Sequence, residues 1–254
     1  MRVGKGIVDL RDAPRGARER QLRFGELVYV EETDDADPDD VWVRVRTRRL
    51  QYAGWIEMDA LDWSIRPTHR VAARASHAYA EPKVQAREYD ILPCGAFVTV
   101  FDEDASWSRI AYGFMPTRHL TKLDTFETDP AAVALRLLGA PYLWGGDGPA
   151  GIDCSGLAQL AWGMCGRDVP ADSGPQREAL SVRPDLPERV ARGDLIFWAG
   201  HVAIATGLDE IVHANGHHMA VATEPLRDAV ERIAGAEGPT GGGPVIGFAP
   251  WAAG

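Results

Sequence analysis

The chain has 254 residues, 45% hydrophobic and 25% charged, which is enough apolar mass for more than one core. Asp and Glu outnumber Lys and Arg by 37 to 27, a formal net charge of −10, so following nucleic-acid phosphates is electrostatically uphill and no nucleic-acid partner is expected. No window approaches the run of about 18 apolar residues that a membrane span needs, and MRVGKGIVDLRDAPRGARER contains no apolar leader core; the expectation is a cytoplasmic protein with no membrane partner.

The first 124 residues read as short strands. FGELVYV (24–30), VWVRVRT (41–47) and LQYAGWI (50–56) alternate or are rich in β-branched and aromatic residues, and the acidic turn ETDDADPDD separates the first two. The theme repeats in GAFVTVF (95–101) and WSRIAYGFM (107–115), with Trp42 and Trp107 each opening a second strand. Two small β domains are therefore expected, at 1–65 and 66–124, with PTHRVAA (67–73) as the crossing between them.

From residue 125 to 254 the pattern becomes α+β. Asp129 as N-cap, Pro130 at the first helical position and Gly139 as stop punctuate one helix. A second starts at Cys154 and ends at Gly166, with Leu157, Leu160, Ala161, Met164 and Cys165 on one apolar stripe. DLIFWA (194–199), HVAIAT (201–206), EIVHAN (210–215), MAVAT (219–223) and the final VIGFAP predict an antiparallel sheet against which these helices pack; GPTGGGP (238–244) reads as a flexible loop.

Three cysteines, at 94, 154 and 165, show no C-x-x-C or Cys/His ligand spacing, so neither a disulfide framework nor a structural zinc site is expected. Cys154 stands apart because it falls in the first turn of a helix. Unpaired backbone N–H groups and the positive end of the helix dipole favour a thiolate there, and the same N–H groups can hold an oxyanion. A nucleophilic cysteine needs a base and a group that orients the base. His201 and His213 lie in neighbouring strand-like segments flanking the turn TGLDE. A turn centred on Gly207 sets them opposite each other; one centred on Leu208 sets His201 opposite Asn215 with His213 diagonal; a two-residue Gly207-Leu208 turn puts them on opposite faces. Cys94 and Cys165 read as structural, and His217 and His218 as surface or binding residues.

The ordered series PYLWGG (141–146), GIDCSGL (151–157), VPADSGPQ (169–176), GDLIFW (193–198), HVAIATG (201–207) and IVHANGHHM (211–219) resembles the NlpC/P60 cysteine peptidases, papain-like enzymes that cut bacterial cell-wall peptides. The resemblance implies a papain-like α+β catalytic domain preceded by two small SH3-like β-barrels, with Cys154 as nucleophile, His201 as base, His213 as the residue that orients it, and no metal or other cofactor. One departure is Ala171, where many relatives carry arginine before the Asp-Ser pair.

Within the family, two SH3-like domains and a Cys-His-His set look like the γ-D-glutamyl-L-diamino acid endopeptidases. These release L-Ala-γ-D-Glu from murein peptides with a free amino terminus during peptidoglycan recycling. The positions matching that subgroup's amine clamp and substrate contacts are Glu26, Tyr52, Tyr142, Asp153, Ser155 and Ser173. Two other readings are an endopeptidase or amidase acting on intact peptidoglycan, and a non-catalytic peptide-binding module; the complete Cys-His-His set stands against the latter.

Overall fold

The computed structural model describes residues 1–48, 52–184, 190–236 and 242–251. They form two compact units, one of Met1–Thr125 with Asp147–Pro149 and one of Phe126–Gly146 with Ala150–Gly254.

The first unit is built of antiparallel strands. Its first sheet runs in the order Arg18–Arg23, Ile7–Arg11, Ala53–Glu57, Trp42–Thr47, Val28–Asp34. Alternation explains the strand Trp42–Thr47: Val43, Val45 and Thr47 are buried, while Arg44 and Arg46 pair with Glu31 at 2.9 and 2.6 Å. Leu10, Leu22, Val28 and Ile56 complete that core. A second five-stranded sheet (Glu88–Pro93, Ala75–Tyr79, Gly113–Pro116, Trp107–Ile110, Val100–Glu103) and a three-stranded one (Phe97–Val98, His69–Val71, Leu120–Lys122) enclose Ile65, Val71, Leu92, Ile110 and Met115, and Phe24 joins them. Each sheet is an open row of strands, and the described residues do not show the two expected SH3-like β-barrels closed.

Several strand boundaries differ from expectation for local reasons. The predicted strand 24–30 straddles a turn: Gly25 has φ +78°, and a Cβ there would come within 2.2 Å of the Phe97 carbonyl oxygen. The stretch 107–115 is a hairpin that turns at Ala111 and Tyr112. The supposed crossing 67–73 contains the central strand His69–Val71, and 95–101 breaks into two strands that belong to different sheets. The start of the predicted strand 50–56 lies outside the described residues.

The second unit carries one antiparallel sheet in the order Ala220–Pro225, Glu210–Asn215, His201–Ala205, Leu195–Ala199, Gly242–Ala249. Helix α1 (Pro130–Leu135) is capped by Asp129, whose Oδ1 accepts from the Ala132 N–H at 3.1 Å, and the chain turns out at Gly139 with φ +77°. Helix α2 (Cys154–Met164) packs against α1 and against the strands His201–Ala205 and Glu210–Asn215. It is buried all round from Cys154 to Trp162, so the expected one-sided stripe does not describe it, and Cys165 is a half-buried C-cap residue. Helix α3 (Ser173–Ala179) follows. Helix α4 (Leu226–Ala234) packs Ala229 and Ile233 against Ile196, Trp198, Ala203 and Ile211. With α2 and α4 packed on the sheet, the strands Leu195–Ala199 and His201–Ala205 are almost continuously buried rather than alternating. Most of the predicted loop 238–244 lies outside the described residues. Among the described residues no helix is long and apolar enough to cross a membrane.

Candidate active site

Cys154 is the first residue of α2, and Asp153 builds the helix start around it. One carboxylate oxygen accepts from the Gly156 N–H at 2.6 Å and the Ser155 hydroxyl at 2.9 Å; the other accepts from the Gly145 N–H at 2.9 Å. Asp153 is therefore the cap of α2, and the Ser155 hydroxyl is engaged on it. From α3, the buried Gln176 amide donates to the carbonyls of Ser155 and Pro170 at 3.0 and 2.9 Å, which fixes α3 against the same helix start.

Cys154 is 8% exposed. Burial and the neighbouring Asp153 charge push its thiol up to about 12, against hydrogen bonds from the backbone N–H groups of Val202, Ser155 and Cys154 itself. Desolvation therefore works against the thiolate that the helix end and its backbone donors favour.

His201 opens its strand opposite Trp198, with the two rings 5.7 Å apart. The next hairpin pairs Ile204 with Val212 and Ala205 with Ile211, so it turns about Leu208, the second of the three registers open in the sequence. His213 lies diagonal to His201 on the same face, and His201 Nε2 meets His213 Nδ1 at 2.8 Å. Burial, then the neighbouring His213, lowers His201 to about 3, so its imidazole is neutral at rest. Burial also lowers His213.

The chain of contacts continues beyond the expected triad. His213 Nε2 lies 2.7 Å from Glu224 Oε1, and Arg232 of α4 donates to the same oxygen. Burial opposes ionisation of Glu224, but the hydrogen bonds from His213 and Arg232 prevail and hold it at about 2. Neither residue was expected. Glu224 could have been reached by carrying the register argument one hairpin further, since His213 faces Ala222 and the residue two along shares its face. Arg232 could not, because only the fold brings α4 back over that strand.

A cleft of about 260 Å³ opens at His201, with Tyr142, Asn215, His217 and Arg232 among its walls. Tyr142 is half-buried, and burial together with Cys154 and Asp153 raises its phenol, which keeps the hydroxyl a donor. Ser173, also half-buried, begins α3. His217 and His218 are exposed, and Asn215 Oδ1 accepts from the His218 N–H at 2.8 Å. His213, His218 and Glu224 bring three ligand atoms within 4.8 Å of one another, but two of the three residues already share a hydrogen bond and Arg232 balances the carboxylate. Cys94 is buried.

Glu26 and Tyr52 belong to the first unit. Glu26 is buried near Arg23, which forms an ion pair with Asp147; the Tyr52 hydroxyl donates to Glu19 at 3.3 Å. Both side chains thus have polar neighbours within the first unit.

The NlpC/P60 family model matches residues 139–231. Dipeptidyl-peptidase 6 of Lysinibacillus sphaericus is 28% identical over 220 residues, 77% of this chain and 79% of that one. The γ-D-glutamyl-L-lysine dipeptidyl-peptidase of Bacillus cereus is 36% identical over 110 residues, 39% of this chain and only 32% of that one. Among solved structures, an NlpC/P60 family protein from Bacillus cereus superposes with a TM-score of 0.79 at 19% identity, covering 98% of both chains.

Proposed function

We propose that the chain, whose residues 139–231 match the NlpC/P60 family model, is a cysteine peptidase that hydrolyses the γ-D-glutamyl–diamino acid bond of cell-wall-derived peptides with a free N-terminal L-Ala, as a step in peptidoglycan recycling. The observation that carries the reading is His201 at the wall of a cleft, hydrogen-bonded to the buried His213, with the backbone N–H of Val202, next to His201, donated to the sulfur of Cys154. The names of the two relatives point to dipeptide release and, in one case, to a γ-D-glutamyl-L-lysine bond.

In this reading the thiol and imidazole start neutral. Cys154 gives its proton to His201 as the sulfur attacks the γ-glutamyl carbonyl, and backbone N–H groups at the start of α2 stabilise the oxyanion. His201 then protonates the departing amine of the diamino acid and activates the water that opens the thioester. His213 orients His201 throughout. Tyr142, on the cleft wall, offers a hydroxyl to substrate, and Ser173 is a further contact. Asp153 and Ser155 act by shaping the helix start rather than by meeting substrate directly.

The test is to incubate the protein with L-Ala-γ-D-Glu-meso-diaminopimelate, the lysine counterpart and their N-acetylated forms, and to follow release of the diamino acid by mass spectrometry. Cleavage restricted to free-amine peptides is expected. Equal cleavage of acetylated peptides or of intact sacculi would replace recycling with action on the wall itself, and cleavage of none would remove the peptidase reading.

A further inference from the structure

A general base is useful only in the right tautomer, and the hydrogen-bond chain behind His201 dictates which one it holds. Arg232 donates to Glu224 Oε1 and keeps that carboxylate ionised, so Glu224 can only accept. His213 must then carry its proton on Nε2, where it faces Glu224 at 2.7 Å. A neutral imidazole with hydrogen on Nε2 has a bare Nδ1, so His213 Nδ1 can only accept across its 2.8 Å contact. His201 must supply the proton there from its own Nε2, which leaves His201 Nδ1 as the ring's one lone pair. We propose that Glu224, held by Arg232, is a positioning residue that sets the tautomers of both histidines and so makes His201 Nδ1 the base for the Cys154 thiol.

The inference rests on His201 as the base of the proposed reaction. Its proton balance closes without Glu224 changing charge. The S–H bond of Cys154 breaks and an N–H bond forms at His201 Nδ1; the resulting imidazolium keeps its Nε2–H on His213, and the positive charge faces a carboxylate one ring away. If Glu224 were neutral or absent, His213 could instead hold its proton on Nδ1 and donate to His201 Nε2. His201 would then carry its hydrogen on Nδ1 and have no lone pair for the thiol. Among the described residues, the charged and titratable groups around His213 are His201, Glu224, Arg232 and His218, and of these Glu224 accepts at its Nε2.

The experiment is nitrogen-15 NMR of the full chain labelled at histidine, alongside steady-state kinetics on the free-amine tripeptide. Wild-type His201 is expected as the Nε2–H tautomer. Glu224→Gln, whose amide can donate to His213, is expected to move His201 toward Nδ1–H and to lower kcat about 10- to 100-fold with KM within about twofold, while Glu224→Asp recovers part of the loss. Thermal melting shows that the variants are folded. A wild-type spectrum with His201 protonated on Nδ1 overturns the proposal without any variant, as does a Glu224→Gln protein with unchanged tautomer and kcat. A tautomer change that leaves kcat untouched overturns the role of His201 as base instead, so the two failures are distinguishable.

Discussion

His201 and His213 meet at 2.8 Å because the hairpin between them turns about Leu208. That register sets Ala203 across from His213 and leaves His201 two residues further along the same face. Diagonal positions on a sheet face lie about 7–8 Å apart at the backbone, within reach of two imidazoles leaning toward each other. The pair is thus a property of strand register. Changing the length of the turn by one residue would move His213 to the other face, together with every buried side chain of its strand.

Replacing Cys154 or His201 by Ala is expected to lower turnover of the γ-glutamyl tripeptide by about 10³-fold or more, since either change removes the chemical step. Cys154→Ala deletes one buried atom from a helix that Asp153 still caps, so a stability loss of about 1 kcal/mol is expected. Mass-spectrometric turnover and thermal melting on the same samples check both halves, and activity retained by either variant removes that residue from the chemistry.

Substitution of His213 separates hydrogen bonding from bulk. Asn at 213 can still accept from His201 Nε2 through its amide oxygen, whereas Ala cannot; His213→Ala is expected to lower kcat about 10- to 100-fold and His213→Asn by less. Ala also leaves Glu224 with Arg232 but no imidazole, a cost of about 1–3 kcal/mol for the lost buried partner. Equal kcat for the two variants would mean that His213 only fills space.

What the sequence made legible depended on whether the signal was local. Cys154 could be found because the chain turns at Pro149 and Ala150, Asp153 marks a cap and a helical run follows; the histidines could be found because each sits in a short apolar strand. The sheet of the second unit was readable strand by strand for the same reason. Glu224 and Arg232 were not readable as part of the site, since they reach it through a second hairpin register and a helix that folds back over it. In the first unit the strand-like stretch FGELVYV (24–30) hides the turn at Gly25, and 107–115 hides a hairpin, because the turn residues Ala111 and Tyr112 are themselves apolar. Asp153 and Ser155, which the resemblance implies as substrate contacts, are hydrogen-bonded to each other at the start of α2, and Asp153 also to the Gly145 N–H.

Arg23 and Asp147 form an ion pair inside the first unit, with only 4% and 1% of their side-chain surfaces exposed, and Arg23 Nε also donates to the Asp147 carbonyl at 3.1 Å. Removing one member strands the other charge away from water. Arg23→Met or Asp147→Leu alone is expected to destabilise by about 3–5 kcal/mol, whereas the double variant, with both charges gone, should recover most of that. Denaturant unfolding of the two single variants and the double variant measures the coupling; additive losses would mean the pair is not acting as a unit.

Acid should destabilise the second unit through its buried site. His201 has a folded value of about 3 against 6.5 in an unfolded chain, so below about 6.5 the unfolded chain takes up a proton that the fold refuses. That contribution to stability is complete above 6.5 and is lost progressively as the pH falls toward 3. Glu224 acts in the same direction in a lower window: its folded value of about 2 lies below 4.5, so the stability carried by its bonds to His213 and Arg232 is present above 4.5 and lost as the pH falls toward 2. Melting temperature is therefore expected to fall from pH 7 to pH 5, where His201 titrates in the unfolded chain, and to fall further below 4.5. His69 and His119 in the first unit are lowered mainly by burial and add to the first window. His201→Asn should reduce the slope between pH 7 and 5 while leaving that below 4.5 in place; an unchanged upper slope would mean that His201 does not stay neutral in the fold.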